Sequence, residues 1–468
     1  MGRMALRWAA RWADEEVRDV RLGDERRRAR LKRTLARVLQ RPGGCLPHSV
    51  RRPCERTAAY RLLEGGRAWA QEVTRAGARA CARRLVGLPY ALVPVDGTGL
   101  SLADRQRARG LGPVGARAKR GRGLLVETAL GLSPVGETLG VLGQVAHVRS
   151  EARVQARKGR SLEEKETRHT LRVMEEAGAA RDAGAPGVRL WYQLDRGCDF
   201  RQLHLWTCNA AAGDWVTVRA AQDRRVLFPE DTYLFAAIHA APRVAHLTLR
   251  LPRREGVRAR ARKAHLTVRS DSVLVRLRDA WNRTQQLVVL QVVSAREEGR
   301  VPEGQAALHW VLLTNRPVHT AADALAVVQA YAARWRVEDF HKTWKSVCRV
   351  EDTQLRTRDA ILSWAAMLAL VSARLDALKH LSRTQPQALA TGVFSPEEVR
   401  ALLLLSRPEE VGRAATLSVR EATVLLAQLG GWSGNFDKKP PGSLTLSRGL
   451  ADLDVATRAI AAAGLAKK

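Results

Sequence analysis

The chain has 468 residues, a hydrophobic fraction of 46%, and 79 Lys and Arg against 47 Asp and Glu, a formal net charge of +32 at pH 7. That length is too great for one small core and predicts two to four domains at about 150 residues each. The six cysteines form no C-x-x-C pair and no metal-ligand spacing with the histidines, which argues against a disulfide scaffold or a zinc module and reads as scattered cytosolic thiols.

The positive excess recurs in "RLGDERRRARLKR", "RAKRGRG" and "RLPRREGVRARARKAHLTVR". A surplus of this size draws phosphate polymers, with an affinity that falls steeply as salt rises. The plain alternative is a solvated surface written in Arg, which explains the choice of Arg over Lys but not the size of the excess. No apolar run approaches the roughly 18 residues of a membrane span, and "MGRMALRWAARWADEE" lacks a signal-peptide core. The expectation is a soluble intracellular protein with no membrane partner.

Residues 1 to about 85 read as helical: Leu31, Leu35 and Val38 share one face, beside an arginine-dense face of Arg26, Arg27, Arg30 and Arg33. From 90 the period changes. "YALVPVD" reads as a buried strand, and "GLLVETALGLSP" and "GETLGVLGQVAHV" as two more, joined by a Ser-Pro-Val-Gly turn. A helix is expected over about 161–179, and then a strand in "GVRLWYQLD". From about 214 to 316 almost all is strand signal: "DWVTVRA", "AHLTLRLP", "AHLTVRS", "SVLVRLR", "QQLVVLQVV" and "ALHWVLLTN". This predicts an all-β insert between two halves of an α/β domain. Thr320 and Asp323 then form a capping-box pattern ahead of a helix that no Pro or Gly interrupts for over twenty residues, and Ile361, Trp364, Leu368, Val371, Leu375 and Leu378 mark a core-facing helix. Helices continue beyond 380, with a break at "GGWSGNFDKKPPG".

Two acids sit where strands are expected to stop. Asp96 closes "ALVPVD" ahead of Gly97, and Asp195 closes "LWYQLD". Active groups collect at such ends, although an Asp that merely starts a turn reads the same way. In the helix after Thr320, Tyr331, Arg334, Glu338 and Lys345 fall within one sector of about 60° at about 100° per residue. A solvated face with Arg334 paired to Glu338 is the bland account, and it leaves the tyrosine unexplained. Two strand-end aspartates and a helical glutamate could instead converge on a pair of magnesium ions about 4 Å apart, which activate a water or 3′ hydroxyl and stabilise the leaving oxygen. Tyr331, Arg334 and Lys345 would then hold phosphates.

Tyr331-x2-Arg334-x3-Glu338-x6-Lys345 resembles the Y-R-E-K signature of DDE transposases of the insertion-sequence-four family. "LGDERRRARL" and "AAYRLLE" are similar to the family's N-terminal DNA-binding segment, "VDGTGLSL" to its first-aspartate strand, "LDRGCDF" to its second-aspartate loop, and "LHWVLLTNRPV" to the strand before the signature helix. "PPGSLTLSRGLADL" departs from the family in lacking a tryptophan after Pro-Pro-Gly.

The resemblance implies an RNase H-like (retroviral-integrase-like) catalytic core of α/β class with an all-β insertion, flanked by helical N-terminal and C-terminal domains. The expected division is 1–80 for DNA-end binding, 81–380 for catalysis with the insertion at about 220–316, and 381–468 for dimerisation. By position, Asp96, Asp195 and Glu338 would be the catalytic triad and ligands of two Mg2+ ions, for which Mn2+ can substitute. Tyr331, Arg334 and Lys345 would engage end phosphates, Trp310 would help hold a flipped base, and Arg219, Arg26, Arg27, Arg30, Tyr60 and Arg61 would contact DNA. The implied reaction is cut-and-paste through a hairpin. It would take double-stranded DNA, both terminal inverted repeats and target, within a paired-end complex of two copies. The triad alone would also permit an RNase H-type host nuclease, and the basic chain a catalytically idle DNA-binding regulator.

Overall fold

The computed structural model describes residues 8–104, 107, 109–115, 121–149, 163, 165–209, 213–228, 231–251, 262–278, 284–299, 301–303 and 305–464. The basic stretches at 116–120 and 252–261, the first seven residues, and the start of the helix expected from 161 lie outside the described residues.

Helices Trp8–Glu16, Glu25–Gln40, Leu46–Ser49, Pro53–Leu63 and Arg67–Arg83 open the chain. The Asp24 carboxylate caps the second by accepting the Arg26 backbone N–H, satisfying a donor that no helical carbonyl can reach. The predicted apolar face of this helix is buried at Leu31, Leu35 and Val38, while Arg26, Arg27 and Arg33 stay exposed and Arg30 is half-buried.

One mixed sheet follows, built from β1 (Tyr90–Ser101), β2 (Gly112–Val114), β3 (Gly121–Leu132), β4 (Thr138–His147), β5 (Arg189–Leu194), β6 (Trp215–Arg219), β7 (Arg225–Phe228), β8 (Thr232–Tyr233), β9 (Arg243–Leu251), β10 (Arg262–Arg278), β11 (Gln285–Glu297) and β12 (His309–Thr314). Its order is β2-β3-β1-β5-β6-β12-β11-β10-β7-β8, with β4 on β3 and β9 on β10. β1, β5 and β6 run parallel at the centre. All of "LWYQL" in β5 is buried, as a central strand covered on both faces requires. One face packs Leu92, Val126, Leu130 and Leu312 under the helices Ala321–Ala332 and Arg358–Thr384. The other packs Val93, Val95 and Ala129 against Met174 and Ala177 of the helix Thr167–Gly184.

Several expectations need correction. The β-rich stretch joins the central sheet: β12 pairs with β6 through Leu312↔Arg219, so the strands that follow β6 extend that sheet and cover what would be a bare edge. "AHLTVRS" and "SVLVRLR" are one strand, β10, of 17 residues. The polar Ser270-Asp271-Ser272 between them resembles a turn, but its residues pair with Val293, Val292 and Gln291 of β11. Helices Arg201–Asn209 and Leu234–Ala240 form where none was expected. The helix Arg358–Thr384 is long and apolar enough to pass for a membrane span, although 83% of its apolar window is buried inside the protein. Ile361, Trp364, Leu368, Val371, Leu375 and Leu378 all lie in this buried core.

The largest departure is in the signature helix. The Thr320–Asp323 capping box forms, but the helix runs only to Ala332, a second runs over Trp335–Lys342, and a π-helical turn spans Thr343–Val347. Between the first two, the N–H groups of Ala333, Arg334, Arg336 and Val337 reach carbonyls three residues back at 3.0–3.2 Å, a local tightening of the turn. A straight-helix projection therefore does not describe how the four signature side chains point. Helices Pro396–Ser406, Val419–Leu429 and Ser443–Ala462 complete the described chain.

Candidate active site

Parallel pairing of β1 with β5 runs from Tyr90↔Arg189 to Pro94↔Gln193. Two residues further along come Asp96, still within β1, and Asp195, just past the end of β5. Asp195 keeps an extended backbone, so the two acids stand side by side on one face of neighbouring strands, which lie about 4.8 Å apart. Asp96 does not close its strand: β1 continues to Ser101, paired to β3 from Asp96↔Thr128 to Ser101↔Gly123. The strand that stops is β5, and Asp96 therefore borders an opening in the sheet. Asp195 starts the turn Arg196–Cys198, its Oδ1 accepting the Gly197 N–H at 2.8 Å.

Glu338 comes from the helix Trp335–Lys342, which packs over β1 and β3. Arg334 connects it to the first aspartate. The guanidinium donates from Nη2 to Glu338 Oε1 at 2.6 Å and reaches Asp96 Oδ2 from Nη1 at 3.5 Å, with 8% of the residue exposed. The Asp96 carboxyl is pushed up to about 6: burial is the main cause, Arg334 opposes it, and the charges of Asp195 and Glu338 add to it. The three acids therefore share one electrostatic neighbourhood, although the chain separates them widely.

The remaining predicted residues divide. Tyr331, 4% exposed, meets the ring of Trp310, 6% exposed, edge-on at 5.0 Å and 76°. Arg219 donates to the His309 carbonyl at 3.0 Å and lies within electrostatic reach of Tyr331, Arg334 and Asp195. Lys345 donates to the Gly99 carbonyl at 2.6 Å and stands 3.8 Å from Glu351. The four signature residues thus face protein partners; none lies on an open solvent face. Arg26, Arg27 and Arg30 belong to the second helix, and Tyr60 and Arg61 to the fourth, which pack together with Arg37 3.5 Å from Glu55. Arg27 lies over the Trp69 ring at 5.3 Å. None of these five is among the residues that hydrogen-bond or pair with the triad.

Two functional candidates went unnoticed in the sequence. Glu127 on β3 sits across from Gly97, and a methyl group added at Gly97 would lie 2.5 Å from Glu127 Oε1. Its carboxyl is pushed up to about 7 by burial and by the charges of Asp96, Asp195 and Glu166. The available signal was a lone acid inside the apolar run "LLVETAL". Asp199, the second aspartate of "DRGCDF", holds the loop beyond Asp195 in place. It accepts His204 Nε2 at 2.9 Å on one oxygen, and on the other the Ala221 N–H at 2.8 Å and Arg224 Nη1 at 2.6 Å.

Burial alone would raise the Asp199 pKa, but the hydrogen bonds from His204, Arg224 and the Ala221 backbone hold it well below the usual carboxylate range. A depressed folded pKa stabilises the protein above the unfolded value of 3.8, and that stability disappears as pH falls toward the folded value. Asp199→Asn is therefore expected to lower the melting temperature near neutral pH and to lose less with acidification below about pH 4 than wild type. Parallel melting curves of the two proteins in acid would contradict this.

Residues 9–68 match a family model described as Transposase DNA-binding, and residues 233–373 match one described as Transposase DDE domain. The chain carries the domains of a DDE transposase. It is a metal-dependent enzyme that cleaves and transfers DNA, and the DDE domain implies an RNase H-like core. The DDE match includes Trp310, Tyr331, Arg334, Glu338 and Lys345, while Asp96 and Asp195 precede it in the chain and meet it through the sheet. Arg26, Arg27, Arg30, Tyr60 and Arg61 all fall within the DNA-binding match.

Transposase DDE domains use divalent metal ions, and the donors here have the right chemistry. Carboxylate oxygens suit a hard cation, and the repulsion that raises Asp96 is what such a cation would relieve. The arrangement is not a closed ligand cage. Among the described residues no group of three His, Cys, Asp or Glu stands at metal-binding spacing, and Arg334 pairs with both Asp96 and Glu338.

Proposed function

We propose that this transposase is a cut-and-paste enzyme of the insertion-sequence-four type, acting on the terminal inverted repeats of its own element. In this reading Asp96, Asp195 and Glu338 are the catalytic acids and hold Mg2+, which when bound supplies an activated water or 3′ hydroxyl and stabilises the leaving oxygen. The observation that carries it is the placing of these acids: Asp96 and Asp195 each two residues beyond the last pair, Pro94↔Gln193, of adjacent parallel strands, with Glu338 linked to Asp96 through Arg334.

The chain's own residues divide the remaining work. Arg219 lies within electrostatic reach of Asp195 and Lys345 beside the β1 backbone at Gly99, both with charge suited to the DNA backbone, and Arg334 exchanges its carboxylate partners for a phosphate of the bound end. Hairpin closure bends the terminus sharply, so a base leaves the stack and is held by Trp310, which a base reaches when the Tyr331 ring withdraws. Arg26, Arg27, Arg30, Tyr60 and Arg61 grip the element end through the N-terminal helices over about 1–80. A second copy, joined through the helices beyond 380, completes the paired-end complex.

Linear DNA carrying the sequences that flank the gene tests this reading. With Mg2+ the full-length protein is expected to nick at the repeat boundary, form hairpins and release the element, and to do none of these with the repeats scrambled. Cleavage of the RNA strand in RNA–DNA hybrids without any need for the repeats would overturn it in favour of a nuclease. Repeat binding without any metal-dependent cleavage would leave only a regulator.

A further inference from the structure

Arg334 stands where the site most needs a cation. Its guanidinium is 2.6 Å from Glu338 and 3.5 Å from Asp96, so it partly neutralises two of the acids assigned to the metal. Burial would lower its pKa, but Tyr331, Asp96 and Glu338 raise it, so the group stays charged in place. While it bridges Glu338 Oε1 and Asp96 Oδ2, the guanidinium competes with a divalent ion for those oxygens. Arg334 also sits at the join of two helices, Ala321–Ala332 and Trp335–Lys342, where the regular hydrogen-bond ladder is already broken. Its side chain can therefore change partner without unwinding either helix.

We infer that Arg334 fills the metal position in the DNA-free protein and yields it when a DNA phosphate takes the guanidinium, so that metal binding and DNA binding strengthen each other. This rests on the triad assignment proposed above. A phosphate is the fitting exchange partner because it offers the same bidentate acceptor geometry as a carboxylate. The consequence is a safeguard: the acids acquire their full complement of metal when a DNA strand is present to be cut. By linkage, the factor by which DNA tightens metal binding equals the factor by which metal tightens DNA binding.

Mn2+ binding to the full-length protein, followed by the electron paramagnetic resonance of free Mn2+, tests the inference. Arg334→Gln is expected to bind Mn2+ about tenfold more tightly than wild type without DNA, a coupling of ordinary size. Removing any nearby positive charge favours a cation, so two further variants separate place from charge. Arg334→Lys keeps the charge but cannot span both acids, and is expected to gain most of the same affinity. Lys345→Gln loses a charge whose nearest partners are Gly99 and Glu351, and is expected to gain little.

Duplex DNA of mixed sequence at low salt should tighten Mn2+ binding to wild type and leave Arg334→Gln nearly unchanged. Unaltered affinity in both Arg334 variants, an equal gain in Lys345→Gln, or no effect of DNA on wild type would each overturn the inference. Glu338→Gln guards the underlying assignment. If it leaves Mn2+ affinity at the wild-type value, the triad reading itself has failed, whereas a loss there with no gain at Arg334 sinks only the exchange.

Discussion

Glu338→Ala is expected to bind element ends as wild type does and to lose strand nicking by about three orders of magnitude or more. The magnitude follows from the chemistry: an acid that holds a catalytic metal contributes several kcal/mol to the transition state, and each 1.4 kcal/mol is about tenfold in rate. End binding should survive because the N-terminal helices that would read the DNA share no hydrogen bond or ion pair with this side chain. The fold should survive as well. Glu338 is half-buried and its partner is Arg334, which keeps Asp96 after the substitution. A gel-shift assay and a nicking assay on the same preparation settle it, and nicking at the wild-type rate would remove Glu338 from the catalytic set.

Trp310→Ala is expected to act at two levels. The ring is 6% exposed and packs edge-on against Tyr331, so truncation leaves a cavity costing about 3–5 kcal/mol and lowers the melting temperature by several degrees. Below that temperature the variant should still make the first nick yet stall before double-strand release, because the base expelled during hairpin formation has lost a stacking surface worth roughly 1–3 kcal/mol. Trp310→Phe keeps a ring in the same slot and should restore both stability and the later stage in large part. Time courses that resolve nick, hairpin and released element would show it. Equal losses at every stage, in step with thermal stability, would mean that Trp310 serves only the core.

Much of the local structure is legible in residue order because it depends on short-range periodicity. The apolar spacing of Leu31, Leu35 and Val38, the Thr320–Asp323 capping box and the heptad-like run from Ile361 to Leu378 each become what their pattern implies. Where patterns misled, a tertiary partner won over local preference. Ser270-Asp271-Ser272 is turn-like in isolation and strand in context, since β11 pairs alongside all three residues. The helix after Thr320 lacks any Pro or Gly yet breaks beside Arg334, where a buried guanidinium is held between Asp96 and Glu338.

By itself the sequence determined the chemistry on offer: a strongly basic chain, a glutamate beside an arginine, a tyrosine and a lysine at helical spacings, and two aspartates after apolar runs. Register decided what they form together. The early end of β5 leaves Asp96 open at mid-strand, and the parallel alignment Pro94↔Gln193 brings Asp195 beside it. The same pairing of β1 with β3 brings in Glu127, which no motif marked. Such relations depend on which backbone groups pair between distant stretches of the chain, as Gly97↔Glu127 and Pro94↔Gln193 do, and no local pattern encodes them. A shift of one residue would turn every side chain of β1 to the opposite face, so the site exists only through the sheet.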